Sequence, residues 1–363
     1  MVTELRGNAE SVEIAPYEDA LTFARPFQDG VPTKLLVVSA YEGDMITGVD
    51  LSMALGRPVF DPIILYNELG RQAILDALQF IPESAYVTVP TSSLGLPVGL
   101  GQHHIGVGAN FPAHADEAGV DEGPFLFPKI VYPSGPTAAV SAGAALLDYE
   151  VELCYVPLRD FPTLRAPRVL GLILCNDFTD RAKLLRRIDA DDIASGQGFT
   201  YGKSAAGFLP VGNLFVVPRD TRTFAASLEL NLYVNAELRQ RALLADAMWD
   251  LDTTLVNVDA QRSRKWVFQG SPVGLPFKVT RVPARTLIMS GTPSGTVFDG
   301  IRTMHIVRGV LDWLIGGWDR PVQQWVVDRY IEEETKLGRY LAPGDLVSIS
   351  VHNMGEVKTL IAD

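Results

Sequence analysis

The stretch "LLDYEVELCYV", residues 146–156, alternates apolar and acidic side chains with the period of a β-strand. One face would carry Leu147, Tyr149, Val151, Leu153 and Tyr155, and the other Asp148, Glu150 and Glu152. Because successive side chains of a strand point to opposite faces, Glu150 and Glu152 lie side by side. Adjacent carboxylates repel each other unless something neutralises them, so the pattern indicates either a solvated outer face or a cation site.

A third carboxylate favours the cation site. The next candidate strand, "VLGLILCND" (169–177), ends in Asp177. Three carboxylates on neighbouring strands would form an oxygen-rich site for Mg²⁺ or Mn²⁺, with positions left for water and substrate. Zinc is disfavoured because no Cys or His stands nearby at zinc-ligand spacing.

The composition of the chain excludes several classes of partner. Its 363 residues are 47% hydrophobic and 20% charged, enough for one large domain or two modest ones. The net charge of -12 argues against nucleic acid or an anionic membrane as the main partner, since both require clustered Lys and Arg. A small anionic substrate stays open, because a pocket can be locally positive.

Three further features of the sequence indicate the cellular compartment of the protein. Cys154 and Cys175 stand in apolar runs, where we expect buried thiols of a reduced protein. The polar N-terminus predicts no secretory signal, and the longest apolar runs fall far short of the roughly 20 residues of a membrane span. We therefore expect a soluble cytoplasmic protein.

The order of elements predicts an α+β fold. Residues 1–102 form a small N-terminal α+β domain with a strand at 34–41, a helix at 67–81 and a connector at 89–102. Residues 103–363 form a second domain dominated by strands. Its candidate strands cover 104–110, 145–158, 169–177, 212–218, 227–235, 285–291 and 346–353, and a candidate helix covers 246–263. Without regular βαβ alternation, these elements predict a large mixed sheet or roll.

A helical block at 304–338 interrupts the strands. Gly316 and Gly317 divide it into two helices, with Asp319 as a cap and Pro321 near the start of the second. Its large aromatic residues are Trp313, Trp318, Trp325 and Tyr330. They could pack the helices onto the sheet, cover the site or meet a dimer partner. We predict that the block forms part of the pocket wall or its cover, with a hinge at the glycines, and narrows the range of substrates.

The segment "NFPAHADE" (110–117) indicates an acid–base pair. Asn110 is expected to cap a short helix and Pro112 suits its first turn. His114 and Glu117 then share one helix face. A carboxylate on one imidazole nitrogen fixes the tautomer and raises basicity, although the same spacing also suits an ordinary surface pair.

Three other motifs do not support the chemistry they suggest. His103 and His104 are consecutive on a strand, so they face opposite ways and are interpreted as structural. The Gly-Lys-Ser around Lys203 lacks the earlier glycine of a phosphate-binding loop, since position 197 is Gln. The turn "SGTPSGT" (290–296) does not fit the G-x-S-x-G nucleophile elbow.

Five motifs in order resemble the fumarylacetoacetate hydrolase family over residues 104–353. They are "GVGANFPAHADEAG", "LDYEVEL", "CNDFTDR", "GFTYGKSAAGFLPVG" and "MSGTPSGT". The resemblance implies a mixed β-sandwich roll, a homodimer, and a Mg²⁺ or Mn²⁺ ion that chelates a 2-oxo acid substrate. It also implies that Glu150, Glu152 and Asp177 are the metal ligands, and that His114 with Glu117 activates water or shuttles protons.

The resemblance gives three more residues a role. Lys203 would stabilise negative charge on an enolate or oxyanion, although a solvated surface lysine is the alternative. Arg181 would meet the substrate carboxylate, which its guanidinium fits bidentately. Thr292 would contact substrate through its backbone and hydroxyl, within what is also a tight turn.

The sequence departs from the family pattern after Asp177. Asp180, Ala182 and Leu184 stand where the family usually has Ala, Asp and Gln. The helical block at about 301–338 replaces a short loop. These departures leave the metal site untouched and weaken the assignment of substrate.

We therefore expect a metal-dependent hydrolase that cleaves a C–C bond in an acylpyruvate-like 2,4-dioxo acid through a metal-bound enolate. Hydration, dehydration, isomerisation or decarboxylation of a 2-oxo acid could use the same site, because each passes through such an enolate. A non-catalytic member that only binds metal and ligand is a further alternative. The presence of both His114 and Glu117 speaks against it.

Overall fold

The structure is a computed structural model that describes residues 12–79, 81–316 and 320–363. The helices are α1 Leu51–Leu55, α2 Pro62–Ala77, α3 Pro112–Ala118, α4 Arg181–Leu185, α5 Phe199–Lys203, α6 Thr221–Ala226, α7 Leu251–Ala260, α8 Thr303–Gly316 and α9 Val322–Leu337.

The strands are β1 Ala20–Ala24, β2 Phe27–Gln28, β3 Val31–Pro32, β4 Leu36–Glu42, β5 Met45–Asp50, β6 Tyr86–Pro90, β7 His103–Gly108, β8 Phe125–Ile130, β9 Val140–Ser141, β10 Leu147–Asp148, β11 Val151–Val156, β12 Phe161–Pro162, β13 Gly171–Asn176, β14 Thr179–Asp180, β15 Phe215–Pro218, β16 Glu229–Val234, β17 Glu237–Leu243, β18 Trp266–Phe268, β19 Ser271–Val273, β20 Arg281–Val282, β21 Ile288–Met289, β22 Leu346–Val351 and β23 Gly355–Ala362.

Two sheets pack face to face around the main core. The larger has ten strands in the order β6-β5-β4-β1-β15-β13-β11-β21-β7-β8, and the smaller has five in the order β17-β16-β22-β23-β9. Leu153 and Leu174 of the large sheet join Leu232 and Ile349 of the small sheet in one buried apolar cluster. Both sheets mix parallel and antiparallel pairs. The predicted α+β fold built on a mixed β-sandwich is therefore confirmed.

The N-terminal strands extend the same large sheet. β1 pairs antiparallel with β15, Ala20 lying opposite Pro218, and β4, β5 and β6 continue from it. α2 covers the other face of the large sheet, where Ile63 and Ile74 join a second apolar cluster. The predicted division into domains at residues 102 and 103 falls between β6 and β7 and stays a prediction.

The stretch 146–156 forms two strands rather than one. β10 ends at Asp148, and β11 begins at Val151, so the predicted strand is interrupted at Tyr149 and Glu150, and Glu152 lies within β11. Both faces of the stretch are buried, which excludes a solvated acidic face. The side chains of Glu150 and Glu152 are therefore buried within the protein and do not form a solvated surface.

Three helix starts differ from prediction. α7 begins at Leu251, five residues after the predicted start at 246, because the Asp250 side chain accepts from Thr253 N. α2 begins at Pro62, five residues before the predicted start, because the Asp61 side chain accepts from Ile64 N and Pro62 takes the first position. α3 begins after Phe111 and has no side-chain cap. The predicted cap, Asn110, instead directs its amide to other segments.

The helical block forms a helical pair. α8 and α9 pack against each other, and Gly309 lets them approach, since a Cβ there would lie 2.5 Å from Cα of Val326. Pro321 is the N-cap residue of α9. Of the earlier predictions, the roles of Gly317, Trp318 and Asp319 lie outside the described residues.

The two cysteines do not stay free. Cys154 on β11 and Cys175 on β13 lie on the same face of adjacent antiparallel strands, with Cα atoms 6.2 Å apart, and form a disulfide. That separation lies within the range that a disulfide spans, so the prediction of two free thiols is wrong for this structure. Among the described helices, none combines the length and apolar character needed to cross a membrane.

Candidate active site

Strand pairing brings the three predicted carboxylates together. β11 and β13 pair antiparallel from Val151 opposite Asn176, and the Asp177 amide N–H continues the ladder by donating to the Glu150 carbonyl (2.9 Å). Glu150 therefore stands opposite Asp177, and Glu152 lies two residues further along the same face. One carboxylate oxygen from each residue lies within 4.8 Å of the others, and all three side chains are buried.

Lys203 reaches this cluster from the end of α5. Its ammonium donates to Glu150 Oε2 (2.5 Å), Asp177 Oδ2 (2.9 Å) and Thr179 Oγ1 (2.8 Å). Burial opposes the charge, but the neighbouring Asp177 and Glu150 outweigh it and raise the pKa of Lys203. The predicted lysine is therefore a buried cation in the acidic cluster, and the solvated-surface alternative is excluded.

Arg181 is held by two carboxylates. As the first residue of α4, it donates from Nε to Asp148 Oδ2 (2.9 Å) and from Nη2 to Glu150 Oε1 (2.7 Å). Its guanidinium also lies 5.4 Å from the centre of the Phe298 ring. The arginine therefore lines the site, but it spends its fork on carboxylates of the protein, and its predicted role toward a substrate carboxylate stays a prediction.

Lys129 is a member of the site that the sequence reasoning missed. It lies on β8, is fully buried, and donates to Asp177 Oδ1, to the Lys203 carbonyl (2.6 Å) and to the Phe208 carbonyl (2.9 Å). A lone lysine in the apolar run "FLFPKI" was the available signal, because an unpaired buried ammonium is strongly disfavoured. Lys129 positions both Asp177 and the backbone of Lys203.

Glu152 differs from the other two carboxylates. Among the described residues its hydrogen-bond donor is the Gly291 amide, at 2.8 Å from Oε2, and it has no direct ion pair. Burial raises its pKa well above the ordinary value, and the charges of Asp177 and Glu150 raise it further. Lys129 and Lys203 pair with Asp177 and Glu150, so among the described residues no cation directly neutralises the charge of Glu152.

The donor set fits a hard divalent cation. All three groups supply carboxylate oxygen, the ligand that Mg²⁺ and Mn²⁺ prefer, and the crowding at Glu152 would be relieved by added positive charge. Lys203 pairs with two of these carboxylates, Glu150 and Asp177. A bound ion and the Lys203 ammonium would therefore contact the same two carboxylates.

The acid–base pair lies on α3. His114 Nδ1 is 3.2 Å from Glu117 Oε2, and the histidine is buried. The Gly295 amide donates to both Glu117 oxygens, at 3.1 and 3.2 Å. Gly295 has φ +99°, a conformation that favours glycine, and leaves no room for a side chain. The Gly295 amide therefore holds the Glu117 carboxylate in place. Because His114 is buried, the two residues are not an ordinary surface pair.

Asn110 joins three segments instead of capping α3. Its Nδ2 donates to the carbonyls of Trp249 (3.0 Å) and Ser290 (2.7 Å), and its Oδ1 accepts from Trp249 N (2.7 Å). The amide thus satisfies buried backbone groups distant in sequence, which outweighs a local cap. It fixes the start of α3 against the turn that holds Thr292.

Thr292 is buried beside a glutamine that the sequence did not single out. Gln240 on β17 donates to Thr292 Oγ1 (2.9 Å) and to the Pro293 carbonyl (2.7 Å), and its Oε1 accepts from Val151 N (2.9 Å). The small sheet therefore supports the turn at 290–296 through one amide. A substrate role for Thr292 stays a prediction.

The departures after Asp177 have separate explanations. Asp180 caps α4 by accepting from Lys183 N (3.0 Å). Ala182 packs in the apolar cluster beneath α9. Leu184 is buried and lines the cavity described next, so an apolar group stands where the family pattern has an amide.

One cavity of about 620 Å³ adjoins these groups. Six of the predicted site residues line it, namely His114, Glu117, Glu150, Arg181, Lys203 and Thr292. Glu152 and Asp177 are not part of the lining and are almost fully buried. Its size suits a small organic ligand with a tail.

His104, a buried histidine outside the cavity, is structural. His104 Nδ1 accepts from Leu287 N (3.0 Å), and Nε2 lies 3.2 Å from the Val131 carbonyl. Burial, with the charge of Lys129, lowers the pKa of His104 to about 3, so it is neutral. It joins β7 to neighbouring segments and takes no part in the site.

Comparison with known proteins gives a match to a family model and to a similar sequence. A family model described as "Fumarylacetoacetate (FAA) hydrolase C-terminal" matches residues 103–362. A mitochondrial oxaloacetate tautomerase, FAHD2 of Oryza sativa subsp. japonica, is 32% identical over 228 residues, which cover 57% of this chain and 87% of that protein.

Solved structures are similar over nearly the whole chain. A putative HpcE protein from Mycobacterium smegmatis superposes with a TM-score of 0.60 at 22% identity, covering 94% of this chain and 99% of that one. A maleylpyruvate hydrolase from Sphingobium sp. SYK-6 gives 0.57 at 22%, with coverage of 94% and 99%. At such identities these likenesses concern the fold alone. With the family match covering most of the sequence, the chain belongs to the fumarylacetoacetate hydrolase family.

Proposed function

We propose that the protein is a divalent-metal-dependent hydrolase that cleaves a C–C bond in an acylpyruvate-like 2,4-dioxo acid. The observation that carries this proposal is a single cavity lined both by the His114–Glu117 pair and by Glu150 and Lys203 of the carboxylate cluster. A base and a charge-stabilising group thus face one space, as C–C bond hydrolysis requires.

Glu150, Glu152 and Asp177 would hold the ion. When bound, Mg²⁺ or Mn²⁺ would chelate the 2-oxo acid head of the substrate and polarise its carbonyl. The protein already fixes these three side chains, through Lys203, Lys129 and the Gly291 amide.

His114 would act on water. With the proton on Nδ1 shared with Glu117, Nε2 is left as an acceptor, and Glu117 stabilises the imidazolium that forms. The water proton passes to Nε2 while its oxygen attacks the 4-oxo carbon. The bond between C3 and C4 then breaks, the acyl group leaves as a carboxylic acid, and the electron pair stays with the pyruvate part as its enolate.

Lys203 would stabilise that enolate. Its buried ammonium lines the cavity and gives its three hydrogen bonds to Glu150, Asp177 and Thr179, so it would act on the developing charge as a fixed positive charge. The proton held by His114 returns to C3 and gives pyruvate. The sum is one substrate and one water to pyruvate and one carboxylic acid.

The test is a turnover screen of acylpyruvates with Mg²⁺ or Mn²⁺ in oxygen-18-labelled water, with products identified by mass. The proposal predicts pyruvate and a carboxylic acid in equal amounts, with one labelled oxygen in the acid. Consumption of substrate without an acid product contradicts hydrolysis.

Tautomerisation of a 2-oxo acid is the second candidate, and the name of the rice relative favours it. It would use the same head site, His114 moving a proton between carbon and oxygen without attack by water. Ketonisation of enol-oxaloacetate, followed by absorbance, separates the two. The cavity favours the hydrolase, because it extends well beyond the head site. The homodimer and the cytoplasmic location stay predictions.

A further inference from the structure

The cavity has two ends of opposite character. His114, Glu150 and Lys203 line the end where chemistry is proposed. The other end is built by α4, the residues that follow it, α8 and α9, from apolar side chains, namely Leu184, Ile188, Ile306, Val310, Val322 and Val326. The tail of a ligand bound in this cavity would therefore contact apolar side chains, whatever the chemistry of its head.

This apolar end has a defined construction. Ile306 and Val310 are four residues apart on α8, and Val322 and Val326 are four apart on α9, so each helix presents a short apolar stripe. The helices meet at Gly309, where a side chain would collide with the Val326 backbone. The stripes are therefore held at a close helix crossing.

α9 is also anchored to the chemical end. Tyr330 is fully buried, its hydroxyl lies 2.7 Å from that of Tyr340, and its ring packs edge-on against Phe298. Phe298 in turn lies beneath the Arg181 guanidinium. The apolar wall is thus connected by direct contacts to a residue of the carboxylate cluster.

The charges that line the cavity do not suit a second carboxylate. Its basic groups among the described residues already pair with carboxylates: Arg181 with Asp148 and Glu150, Lys203 with Glu150 and Asp177, and Arg302 with Asp299. The acidic groups Asp116, Glu117 and Asp299 add negative charge to the lining. A tail ending in a carboxylate would lose water without gaining a free cation, which is unfavourable.

We infer that the substrate is a 2-oxo acid with an extended apolar tail, an alkyl or aryl acyl group, rather than a dicarboxylic acid. α8 and α9 select that tail by burying it against their facing stripes. The inference rests on the proposed function for the position of the head, but it concerns binding, which does not require the C–C bond to break.

The test uses two uncleavable ligands of equal chain length, 2-oxooctanoate and 2-oxooctanedioate, titrated calorimetrically into the Mg²⁺-loaded protein. Neither carries a 4-oxo group, so the measurement is independent of hydrolysis. We expect the monoacid to bind at least about tenfold more tightly than the diacid, the scale of discrimination by apolar contacts.

Two variants on one helix locate the effect. Val310→Asp adds a charge to the apolar end, and Ile315→Asp adds the same charge to the outer face of α8, where Ile315 is 85% exposed. Val310→Asp should reduce the preference for the monoacid by about tenfold or more, and Ile315→Asp should leave it unchanged. Circular dichroism checks folding, and Val326→Asp on α9 replaces Val310→Asp if that variant does not fold.

Equal or tighter binding of the diacid, binding of neither ligand, or equal preferences in the two α8 variants would overturn the inference. Absence of acylpyruvate cleavage, with the monoacid preference intact, would instead contradict only the proposed hydrolysis.

Discussion

The two walls of the cavity are built in different ways. The carboxylate wall stands on β11 and β13, central strands joined by an unbroken ladder from Val151 opposite Asn176 to Val156 opposite Gly171. Its charged groups are buried and hydrogen-bonded. The helical wall, α8 and α9, is apolar toward the cavity, and Ile315 on its outer side is exposed. The sheet therefore fixes the charged groups of the proposed chemistry, while the proposed selection of the tail belongs to the inserted helices.

Asp177 and Glu152 also differ in how the protein holds their side chains. Asp177 neutralises Lys129, which is completely enclosed, and also pairs with Lys203. Glu152 is held by one amide N–H. Removing charge at these two positions should therefore affect ion binding alike and stability differently.

The largest effects are expected from Glu152→Gln and Asp177→Asn. Each should lower Mn²⁺ affinity and turnover by more than about a hundredfold, beyond the usual effect of residues that only support metal ligands. In metal-free protein, Asp177→Asn should cost about 3–5 kcal/mol of the free energy of unfolding, because a buried ammonium loses its carboxylate. Glu152→Gln should cost little, since like-charge repulsion is relieved and the Gly291 contact can persist.

Calorimetric Mn²⁺ titration and urea unfolding of both variants provide the check. Equal losses of stability would show that Lys129 is not dependent on Asp177. Mn²⁺ affinity at the level of the parent protein would show that the cluster is not the ion site.

A smaller effect is expected from His114→Ala. Turnover should fall by about a hundredfold, the usual scale for general acid–base catalysis, while Mn²⁺ affinity stays unchanged. His352→Ala is the matched control, because His352 is exposed and lies outside the cavity lining. Steady-state kinetics that show no difference between the two variants would make His114 a structural residue.

Lys203→Met should act on turnover more than on substrate affinity. Its contact with the substrate strengthens only as the enolate develops, so kcat should fall by at least about tenfold with a smaller change in KM. Oxalate, a mimic of the enolate, should bind the variant more weakly than the parent. Unchanged oxalate affinity in a calorimetric titration would remove Lys203 from this role.

The smallest effect on chemistry is expected when residues 301–337 are replaced by a short Gly/Ser loop. Mn²⁺ affinity should be preserved, because the ion site stands on the sheet, and the preference among tails should be lost. Competition between small and bulky acylpyruvates measures that preference, and sedimentation measures the oligomeric state. If the truncated protein becomes monomeric with an unchanged preference, the helices are an interface element and the comparison of the two walls fails.

Local patterns predicted the parts of the site that are close in sequence. Alternation in 146–156 placed Glu150 and Glu152 on one face, and the spacing of His114 and Glu117 placed them on one helix face. The structure extends this result, since the opposite strand places Asp177 directly across from Glu150.

What could not be predicted depends on distant segments. Burial of the acidic face follows from Lys129 and Lys203, which reach Asp177 from 48 and 26 residues away. Asn110 had a good local pattern for a cap, but partners 139 and 180 residues away hold it instead. The early start of α2 is different, because the cap Asp61 and the first residue Pro62 are adjacent in sequence and form a local signal.

The dependence of cleavage on the ion tests the central claim most directly. Benzoylpyruvate is incubated with protein freed of metal by chelation, and again after Mg²⁺ or Mn²⁺ is restored, while pyruvate and benzoate are quantified by mass. The account predicts both products in equal amounts, and only after the ion is restored. Cleavage at the same rate in the metal-free protein would contradict it.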